Sequence, residues 1–474
     1  MRASLLLATT ALLALGGCTA GPDYAGPSAD APPPPERFVR APADATPQAT
    51  AGSWWTELGD PVLNELVTRA LAGNPDLDAA AARIRQARAS LRERRAKDLP
   101  AINSSIIYAK ARLPGQEDDG GATDLTLYNL GFDSSWELDL FGGRRRSLEV
   151  SKAEVGTRAA SLADARVTLS AEVAQTYVDL RMSQDRVARA GQSLALHEQQ
   201  IAFARQRFEA GTVGRATLLQ AEKERDEARA QIAPVRAQVD AYKDKLAILT
   251  GGLPGSLDPQ LDAPGAIPLP PAQVAVGDPA TLLRHRPDIR VAERTLAAQT
   301  AQIGVAEAAR LPRISFLGLI GLGGARPGNL FDFDDLTVAA VPRLSWSLLD
   351  FGAARSRVQG AQAQRDEAAA QYRKAVLNAL ADAEASLSRF GQSRGALADR
   401  ARAERQASAI TDLARQRREA GTIGAGDLLA AQQVSLAATD ARQHAAAETT
   451  SAFIAVQKAL GLGWEDTGAR PPNE

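Results

Sequence analysis

Two short stretches carry residue types that enzymes use for catalysis. Residues 391–395 read GQSRG, the G-x-S-x-G pattern of a serine nucleophile, and His197, followed by glutamate, begins the H-E-x-x-H pattern of a zinc site. A G-x-S-x-G serine needs a strand before it and a helix after it, whereas Ser393 lies within a long helix-forming run. Ile201 stands where the second zinc-binding histidine must be. We therefore predict no catalytic residue, no metal site and no cofactor, and the chain is not expected to be an enzyme.

The only cysteine, Cys18, follows an N-terminal segment typical of export. Residues 1–17 combine one arginine, an apolar run and small residues next to the cysteine, which indicates a signal peptide. The stretch 15–18, LGGC, is similar to a bacterial lipobox, whose cysteine is acylated and becomes the mature N-terminus. A chance cysteine at a cleavage site is the alternative. We expect a covalent lipid on Cys18, and Thr19 after it, by similarity to other lipoproteins, favours transport to the outer membrane.

The composition narrows the class of protein. A net charge of −1 argues against nucleic acid as the main partner, because phosphate-binding surfaces carry excess lysine and arginine. Only 5% of the residues are aromatic, and long runs mix alanine with arginine, glutamine, glutamate and leucine, which favour helices. Beyond the first twenty residues no apolar run is long enough for a membrane-spanning helix. Membrane-spanning strands stay open as a possibility, since each needs only about ten residues.

The chain contains an internal repeat of long period. RQRFEAGTVGRATLLQAE begins at Arg205, and RQRREAGTIGAGDLLAAQ begins at Arg415, 210 positions later. WELDLFGGRR from Trp136 is similarly matched by WSLLDFGAAR from Trp346. Matches at a near-constant offset over this distance indicate a tandem duplication with units of about 200 residues.

The repeat sets the expected organisation of the chain. Between its copies, residues 251–280 are rich in glycine and proline, which predicts a non-helical linker. The expected segments are a signal peptide (1–17), a lipidated N-terminus with a Pro-rich tether (18–60), repeat 1 (61–250), the linker (251–280), repeat 2 (281–464) and a C-terminal tail (465–474).

Each copy has the same predicted order of elements. Glycine turns at Gly211-Thr212 and Gly421-Thr422 separate two long helices, because glycine supplies the left-handed residue at a helix C-terminus. Pro234 predicts a kink in the first returning helix. The elements are a helix (about 76–98 and 288–310), two strands (about 100–112 and 126–140, then 312–324 and 338–350), a long proline-free helix (about 144–209 and 353–419) and a returning helix (about 215–250 and 425–460).

The predicted strands alternate apolar and polar residues. In 126–140 most even positions are apolar, whereas Asp133, Glu137 and Asp139 occupy polar odd positions. The apolar even positions are Tyr128, Leu130, Phe132, Trp136, Leu138 and Leu140. Arg343 lies on the polar side in the second copy. A half-buried soluble sheet would alternate in the same way, but the lipobox favours strands of an outer-membrane barrel. Four strands are too few to close a barrel, so several chains must share one, and these polar residues would line its lumen.

This plan resembles the TolC-type outer-membrane efflux proteins, specifically their OprM/NodT-like lipoprotein branch, over nearly the whole chain. The resemblance implies a mainly α protein with membrane β: a tandem-repeat protomer with four barrel strands and long helical hairpins. The protomers would close as a homotrimer into a 12-stranded β-barrel plus a periplasmic α-barrel. The phrases that carry it are Cys18 with GPDY at 21–24, WW at 54–55 with DP at 60–61, RPDI with AER in 286–294, and the paired EAGT turns.

The resemblance also implies a function. It predicts the outer-membrane channel of a tripartite, RND-type efflux system, a passive duct for small molecules that extends into the periplasm. The implied partners are a periplasmic adaptor (membrane fusion) protein, an inner-membrane RND-type pump and outer-membrane lipid. A duct for metal ions or for type I protein export is an alternative. Another is a non-transporting periplasmic coiled-coil scaffold lipoprotein, but such a scaffold has no use for an acidic strand face.

The glycine turns and the residues after them are the remaining candidate sites. The resemblance implies that Gly211, Thr212, Gly421 and Thr422 dock the adaptor. Just after the turns, Thr217 and Asp427 occupy equivalent positions, and helix N-capping is one interpretation of both. The other, implied by the resemblance, is a periplasmic gate in which Asp427 lines the narrowed end. Ile423 and Ala430 stand where some relatives carry charged residues, so any closing contacts must differ here.

The lipobox generates the first prediction. Replacing Cys18→Ala should stop lipid labelling, because the thiol that carries the acyl chain is lost, while the strands still allow some protein to insert into the membrane. Mass spectrometry of the mature wild-type protein measures the modification. A wild-type mass without a diacylglycerol adduct would show that the lipoprotein interpretation is wrong.

Overall fold

The computed structural model describes residues 19–27, 33–41, 52–113 and 123–464. The signal peptide, Cys18 and the tail 465–474 lie outside this range. The chain divides into two compact units. The strand unit is Met1–Ala31, Arg83–Ala159 and Val291–Arg373, and the helix unit is Pro32–Ala82, Ala160–Arg290 and Lys374–Glu474.

Long helices dominate the described residues. Two of them, α3 and α9, have 67 residues each, and both contain no proline. The α-helices are α1 (Pro61–Gly73), α2 (Pro75–Ala96), α3 (Gly143–Glu209), α4 (Arg215–Ala230), α5 (Ile232–Leu249), α6 (Asp258–Leu261), α7 (Pro279–His285), α8 (Pro287–Ala308), α9 (Ala353–Glu419) and α10 (Ala425–Ala459).

The strand unit contains one antiparallel sheet of four strands in the order β1-β2-β3-β4. The strands are β1 (Ala101–Leu113), β2 (Thr123–Leu138), β3 (Arg313–Gly324) and β4 (Leu336–Ser345). Each repeat contributes one hairpin, and β2 pairs with β3 to join the two hairpins. The duplication in the sequence therefore appears in the sheet as two hairpins, one from each repeat.

The strands and the linker differ in extent from the prediction. β4 ends at Ser345, although alternation in the sequence continues towards residue 350. Here the indole Nε1 of Trp346 donates to the Arg310 carbonyl oxygen at 3.1 Å, so the side chain bonds to the chain before β3. The linker, expected to be non-helical, contains α6 and the start of α7. Buried Lys243 binds the end of α6, because its Nζ lies 2.8 Å from a carboxylate oxygen of Asp262, the residue that follows this helix.

The two returning helices are not equivalent. In the first repeat the return is split at Gln231 into α4 and α5, whereas α10 in the second repeat is continuous. Pro234 lies in the first turn of α5, where its missing N–H is tolerated. In an uninterrupted helix the same proline would remove one backbone hydrogen bond, so the helix restarts close before it.

The segment before α1 anchors the core of the helix unit. Trp54 is buried in a short 3₁₀ helix, and its ring centroid lies 6.1 Å from that of Phe453. Asp60 begins α1 by accepting from the N–H of Leu63 at 3.0 Å. Its other oxygen accepts from the hydroxyl of buried Tyr177 at 2.7 Å. Burial, together with this hydrogen bond, raises the pKa of Tyr177.

One side-chain bond to a helix end occurs in both repeats, and we call it the staple. In repeat 1, Nδ2 of Asn74 donates to the Leu249 carbonyl oxygen at 3.0 Å. In repeat 2, Nη1 of Arg286 donates to the Ala459 carbonyl oxygen at 2.7 Å. Leu249 and Ala459 are 210 positions apart, so the staple fastens the start of α2 or α8 to the same point of the returning helix.

The second staple carries a buried charge. Arg286 is 8% exposed, and its Nη2 lies 2.6 Å from Oδ2 of Asp288 and 3.6 Å from Oδ2 of Asp382. Burial alone would lower the pKa of Arg286, but the hydrogen bond to Asp288 and the two carboxylates outweigh burial and raise it. The guanidinium therefore stays charged, and its removal would leave the partly buried carboxylate of Asp288 without this partner.

Glycine is required just after each staple. Gly251 and Gly461 adopt left-handed conformations, with φ of 78° and 71°. A Cβ on Gly251 would lie 2.2 Å from the carbonyl oxygen of Gly73, and one on Gly461 would lie 2.8 Å from Cγ of Arg286. The backbone at Gly251 and Gly461 can lie this close to Gly73 and Arg286 only because neither residue has a Cβ.

Alanine at Gly251 should therefore cost more than backbone strain alone. We expect Gly251→Ala to lower the free energy of unfolding by about 2–4 kcal/mol, from the left-handed backbone plus the steric overlap. The matched control is Gly255→Ala, because Gly255 has φ of 79° but no atom within 4 Å of the point that a Cβ would occupy. The control should lose only about 1 kcal/mol. Equal losses in denaturant unfolding would contradict the packing argument.

Candidate functional site

The register of the sheet assigns the predicted lumen residues to one face, here called the polar face. Glu137 lies opposite Ser315, and Ser315 lies opposite Arg343, so these three side chains share a face. Asp133 lies on the same face opposite Asn103, whose Nδ2 donates to the Asp133 carboxylate at 3.2 Å. Asp133, Glu137 and Arg343 are thus brought together on one side of the sheet, as the alternation predicts.

Asp139, the fourth predicted lumen residue, is not in a strand. It follows the end of β2, and its two carboxylate oxygens accept from the N–H groups of Arg144 and Arg145, each at 3.0 Å. These N–H groups have no partner within α3, and the helix N-terminus favours a negative charge. The sequence alternation continues through Leu140, so periodicity alone could not separate the last strand residue from a helix cap.

The opposite side of the sheet, the apolar face, is exposed and hydrophobic. Ile102 is 71% exposed and Val338 68% exposed, which is unusual for large apolar side chains in a packed domain. On the polar face the alternation is incomplete, because Leu317 and Leu319 of β3 lie there too. Further exposed members of the apolar face are Ile106, Tyr108, Phe132, Ile320, Leu336 and Leu344.

A tryptophan marks the same boundary in both repeats. Nε1 of Trp136 donates to the Asp98 carbonyl oxygen at 2.9 Å, and Trp346 makes the equivalent bond to Arg310. Both indoles therefore lie where a strand meets the chain after a short helix. Trp136 also belongs to the apolar face, next to Phe316. A tryptophan with a bonded N–H at the end of an apolar strand face is typical of a membrane–water interface.

The two outer strands have unpaired edges among the described residues. β1 pairs only with β2, and β4 pairs only with β3. Every second N–H and C=O group along each outer edge therefore points away from the sheet. Such an edge is a template for another strand.

The two glycine turns have the same conformation. Gly211 and Gly421 are left-handed, with φ of 71° and 72°. Thr212 donates its N–H to the Arg207 carbonyl oxygen and Thr422 to that of Arg417, both at 2.9 Å. This six-to-one bond closes a helix with a Schellman motif. Both turns are exposed, so the sequence repeat creates two matching surface features.

Neither Thr217 nor Asp427 is an N-cap. The capping positions of α4 and α10 are Gly214 and Gly424, and the two candidates are third in their helices. The N-capping interpretation was therefore wrong in position. Asp427 does contribute at the helix start, because its Oδ2 accepts from the N–H of Gly424 at 2.9 Å. The Asp427 carboxylate is exposed. Among the described residues, its other oxygen has no hydrogen-bond partner.

The catalytic-looking motifs lie inside helices. Ser393 lies within α9, where its hydroxyl donates to the Phe390 carbonyl oxygen at 2.9 Å. In α3, Nδ1 of His197 lies 3.0 Å from Oε1 of Gln200. Over the described part of the chain, no group of three histidine, cysteine, aspartate or glutamate side chains is placed to hold a metal ion.

No helix within the described residues is both long and apolar enough to cross a membrane.

The sequence analysis predicted a Pro-rich tether and missed two contacts that anchor this N-terminal segment. In the strand unit, buried Arg146 donates to the carbonyl oxygens of Ala20 at 3.1 Å and Gly21 at 3.0 Å, and lies 2.6 Å from the Asp23 carboxylate. In the helix unit, Glu384 accepts from two backbone N–H groups, those of residues 39 and 40, at 2.7 and 2.8 Å. No periodic pattern signals either contact, because each depends on residues far apart in sequence.

Comparison with known proteins decides the family. The model of the outer membrane efflux protein family matches residues 66–252 and 279–462, far more than half of the chain. The chain belongs to this family. The two matched ranges coincide with the two repeats and leave out most of the linker.

Individual relatives agree with this assignment. Nodulation protein T of Rhizobium leguminosarum bv. trifolii is 31% identical over 377 residues, 79% of each chain. The toluene efflux pump outer membrane protein TtgF of Pseudomonas putida is 29% identical over 472 residues, 97% of each chain. The solved outer-membrane channel OprN has a TM-score of 0.86 at 32% identity, covering 94% of this chain and all of that one. The predicted TolC-type fold and outer-membrane efflux function are thereby confirmed.

The assignment of the two faces generates a prediction for this outer membrane efflux protein. In intact cells, Asp133→Cys and Glu137→Cys should react with a charged thiol reagent, because we expect the polar face to border water. The adjacent variants Phe132→Cys and Trp136→Cys serve as controls on the apolar face and should react slowly. Labelling rates measured by gel shift test this, and the reverse pattern would overturn the register.

Proposed function

We propose that this protein is the passive outer-membrane duct of a tripartite, RND-type efflux system and works as a homotrimer. The observation that supports a barrel shared between copies is the four-stranded sheet with two unpaired edges and an exposed apolar face, and the number three comes from the resemblance to TolC-type efflux proteins. Each unpaired backbone group would cost several kcal/mol in hydrocarbon, so the edges must pair with strands of further copies. Three copies supply twelve strands, with the apolar faces towards lipid and the polar faces towards the lumen.

The long helices and their matching turns support the proposed partners. Three copies present six turns of one conformation, and these form a docking surface for a periplasmic adaptor, with Gly211, Thr212, Gly421 and Thr422 at its centre. The adaptor connects the duct to an inner-membrane pump. The energy for transport comes from that pump, and the duct itself performs no catalysis.

The N-terminus adds a second attachment to the membrane. We propose a covalent lipid on Cys18 that anchors the chain in the inner leaflet of the outer membrane. Arg146 binds residues only two to five positions after this cysteine. The acyl chain is therefore held close to the strand unit, where the same membrane meets the apolar face.

Trimer formation and conductance test the proposed function. The purified full-length protein should run as a heat-modifiable trimer on gels and should form conducting pores in planar lipid bilayers. A scaffold that transports nothing would insert without conductance. A monomer with no measurable pore would show that the duct proposal is wrong.

The proposed gate is Asp427, and its charge can be separated from its hydrogen bond. Three such carboxylates around one axis would attract cations, so the resting duct should be cation-selective and blocked by divalent ions. Asp427→Asn keeps an oxygen that can accept from Gly424 but removes the charge, and should weaken both properties. Asp427→Ala should in addition lose about 0.5–1 kcal/mol of stability.

Thr217→Ala is the matched control for the gate, because Thr217 holds the same helix position in repeat 1 without a charge. Single-channel recordings of the three variants decide between the roles. Unchanged selectivity in Asp427→Asn, together with a lower melting temperature in Asp427→Ala only, would leave Asp427 as a stabiliser of the helix start.

A further inference from the structure

The segment that joins β4 to α9, residues 346–352, exposes large apolar side chains, and we call it the second corner. Leu348 and Leu349 are 73% and 84% exposed, and Phe351 is 99% exposed. Phe351 also has a φ of 50°, which makes it the one non-glycine residue in the described ranges with a left-handed backbone. Contiguous exposed apolar side chains mark a surface that another molecule covers.

The same segment of the first repeat is covered. The first corner, residues 136–142, joins β2 to α3 and reads WELDLFG, where the second corner reads WSLLDFG. Leu138 and Phe141 take the places of Leu348 and Phe351, yet both are half-buried. Two copies of one corner therefore differ in whether they have a partner.

The partner of the first corner is the end of α8. Phe141 lines one small cavity together with Val305 and Ala308 of that helix. At the start of α3, a Cβ added to Gly143 would lie 2.9 Å from the Cβ of Ala308. The N-terminal segment covers only backbone here, since Ala20 donates its N–H to the Phe141 carbonyl oxygen at 2.9 Å.

The counterpart of this partner is the end of α2. The LP pairs at 99–100 and 311–312 are 212 positions apart, so Ala96 corresponds to Ala308. Ala96 is exposed, and Leu99 is 67% exposed. Within one copy, α2 leads into β1, which lies at the opposite edge of the sheet from β4. Each copy therefore carries the two halves of a second junction, at opposite edges and without each other.

We propose that the second corner of one copy packs on the end of α2 of the next copy, with Phe351 as its apolar anchor. The inference rests on the homotrimer described under the proposed function. The junction of the first corner with α8 is its template within the chain. Pairing of β4 with β1 of the next copy closes the barrel and brings the two halves together. Burial of a fully exposed phenylalanine then favours association of the copies.

Cysteine cross-linking of the full-length protein in membranes tests the contact. Ala353 takes the place of Gly143, so its side chain should lie next to Ala96 of the adjacent copy, within the Cβ–Cβ distance of about 3.5–4.5 Å that a disulfide needs. On oxidation, Ala353→Cys combined with Ala96→Cys should give a covalent trimer, and either substitution alone should not.

The matched control is Ala353→Cys combined with Ala89→Cys. Ala89 is exposed on the same face of α2 but lies two turns, about 10 Å, before Ala96. This control pair should not cross-link, because its two side chains are too far apart for a disulfide.

The anchor is tested separately by the stability of the trimer. Phe351→Ala should lower the temperature at which the trimer dissociates on gels by about 5 °C or more, because it removes the apolar side chain from the contact. Phe331→Ala is the control, since Phe331 is 80% exposed but lies in the connection between β3 and β4. The control should dissociate at the wild-type temperature.

Two outcomes would overturn the proposal. One is an Ala96 pair that cross-links no better than the Ala89 pair. The other is a Phe351→Ala trimer as heat-stable as the wild type, as expected if the second corner faces lipid. In both cases a wild-type trimer that conducts would leave the proposed duct function standing. A wild type that forms no trimer would overturn both.

Discussion

The hydrogen bond from a side chain at the start of a short helix to the last turn of a returning helix is the contact on which each repeat depends. A 67-residue helix and its return meet at an exposed glycine turn, and that turn alone cannot fix where the far end of the return lies. Asn74 and Arg286 fix it by binding the Leu249 and Ala459 carbonyl oxygens. Because these carbonyls have no partner within their own helices, the bond also completes the helix end.

The sheet has the opposite character, because its unpaired edges and exposed apolar face make it incomplete as a single copy. The polar and apolar faces arise because successive side chains of a strand point to opposite sides of the sheet. The two tryptophans lie at one end of the apolar face. Polar groups on one face and exposed hydrocarbon on the other suit a sheet that lies between water and lipid. The sheet is thus consistent with the outer-membrane location that the family comparison shows.

Sequence reasoning predicted the features that depend on local pattern. The long helices follow from composition, and the glycine turns follow from the positions of glycine and proline. The shared face of Asp133 and Glu137 follows from the alternation of apolar and polar residues. It did not find the role of Asp139, because a carboxylate that caps a helix continues the polar period of the strand before it. The anchors Arg146 and Glu384 were missed for another reason, since their partners lie more than 100 residues away. Such contacts leave no trace in the local sequence.

The split between α4 and α5 has a mechanical consequence. A continuous helix such as α10 resists bending along its whole length, whereas an interruption at Gln231 concentrates flexure at one point. The two hairpins of a protomer therefore have unequal stiffness, although their tips share one shape. In a ring of three protomers, the stiffer and the more flexible hairpins would alternate. The symmetry of such a ring would be sixfold in outline but only threefold in elasticity.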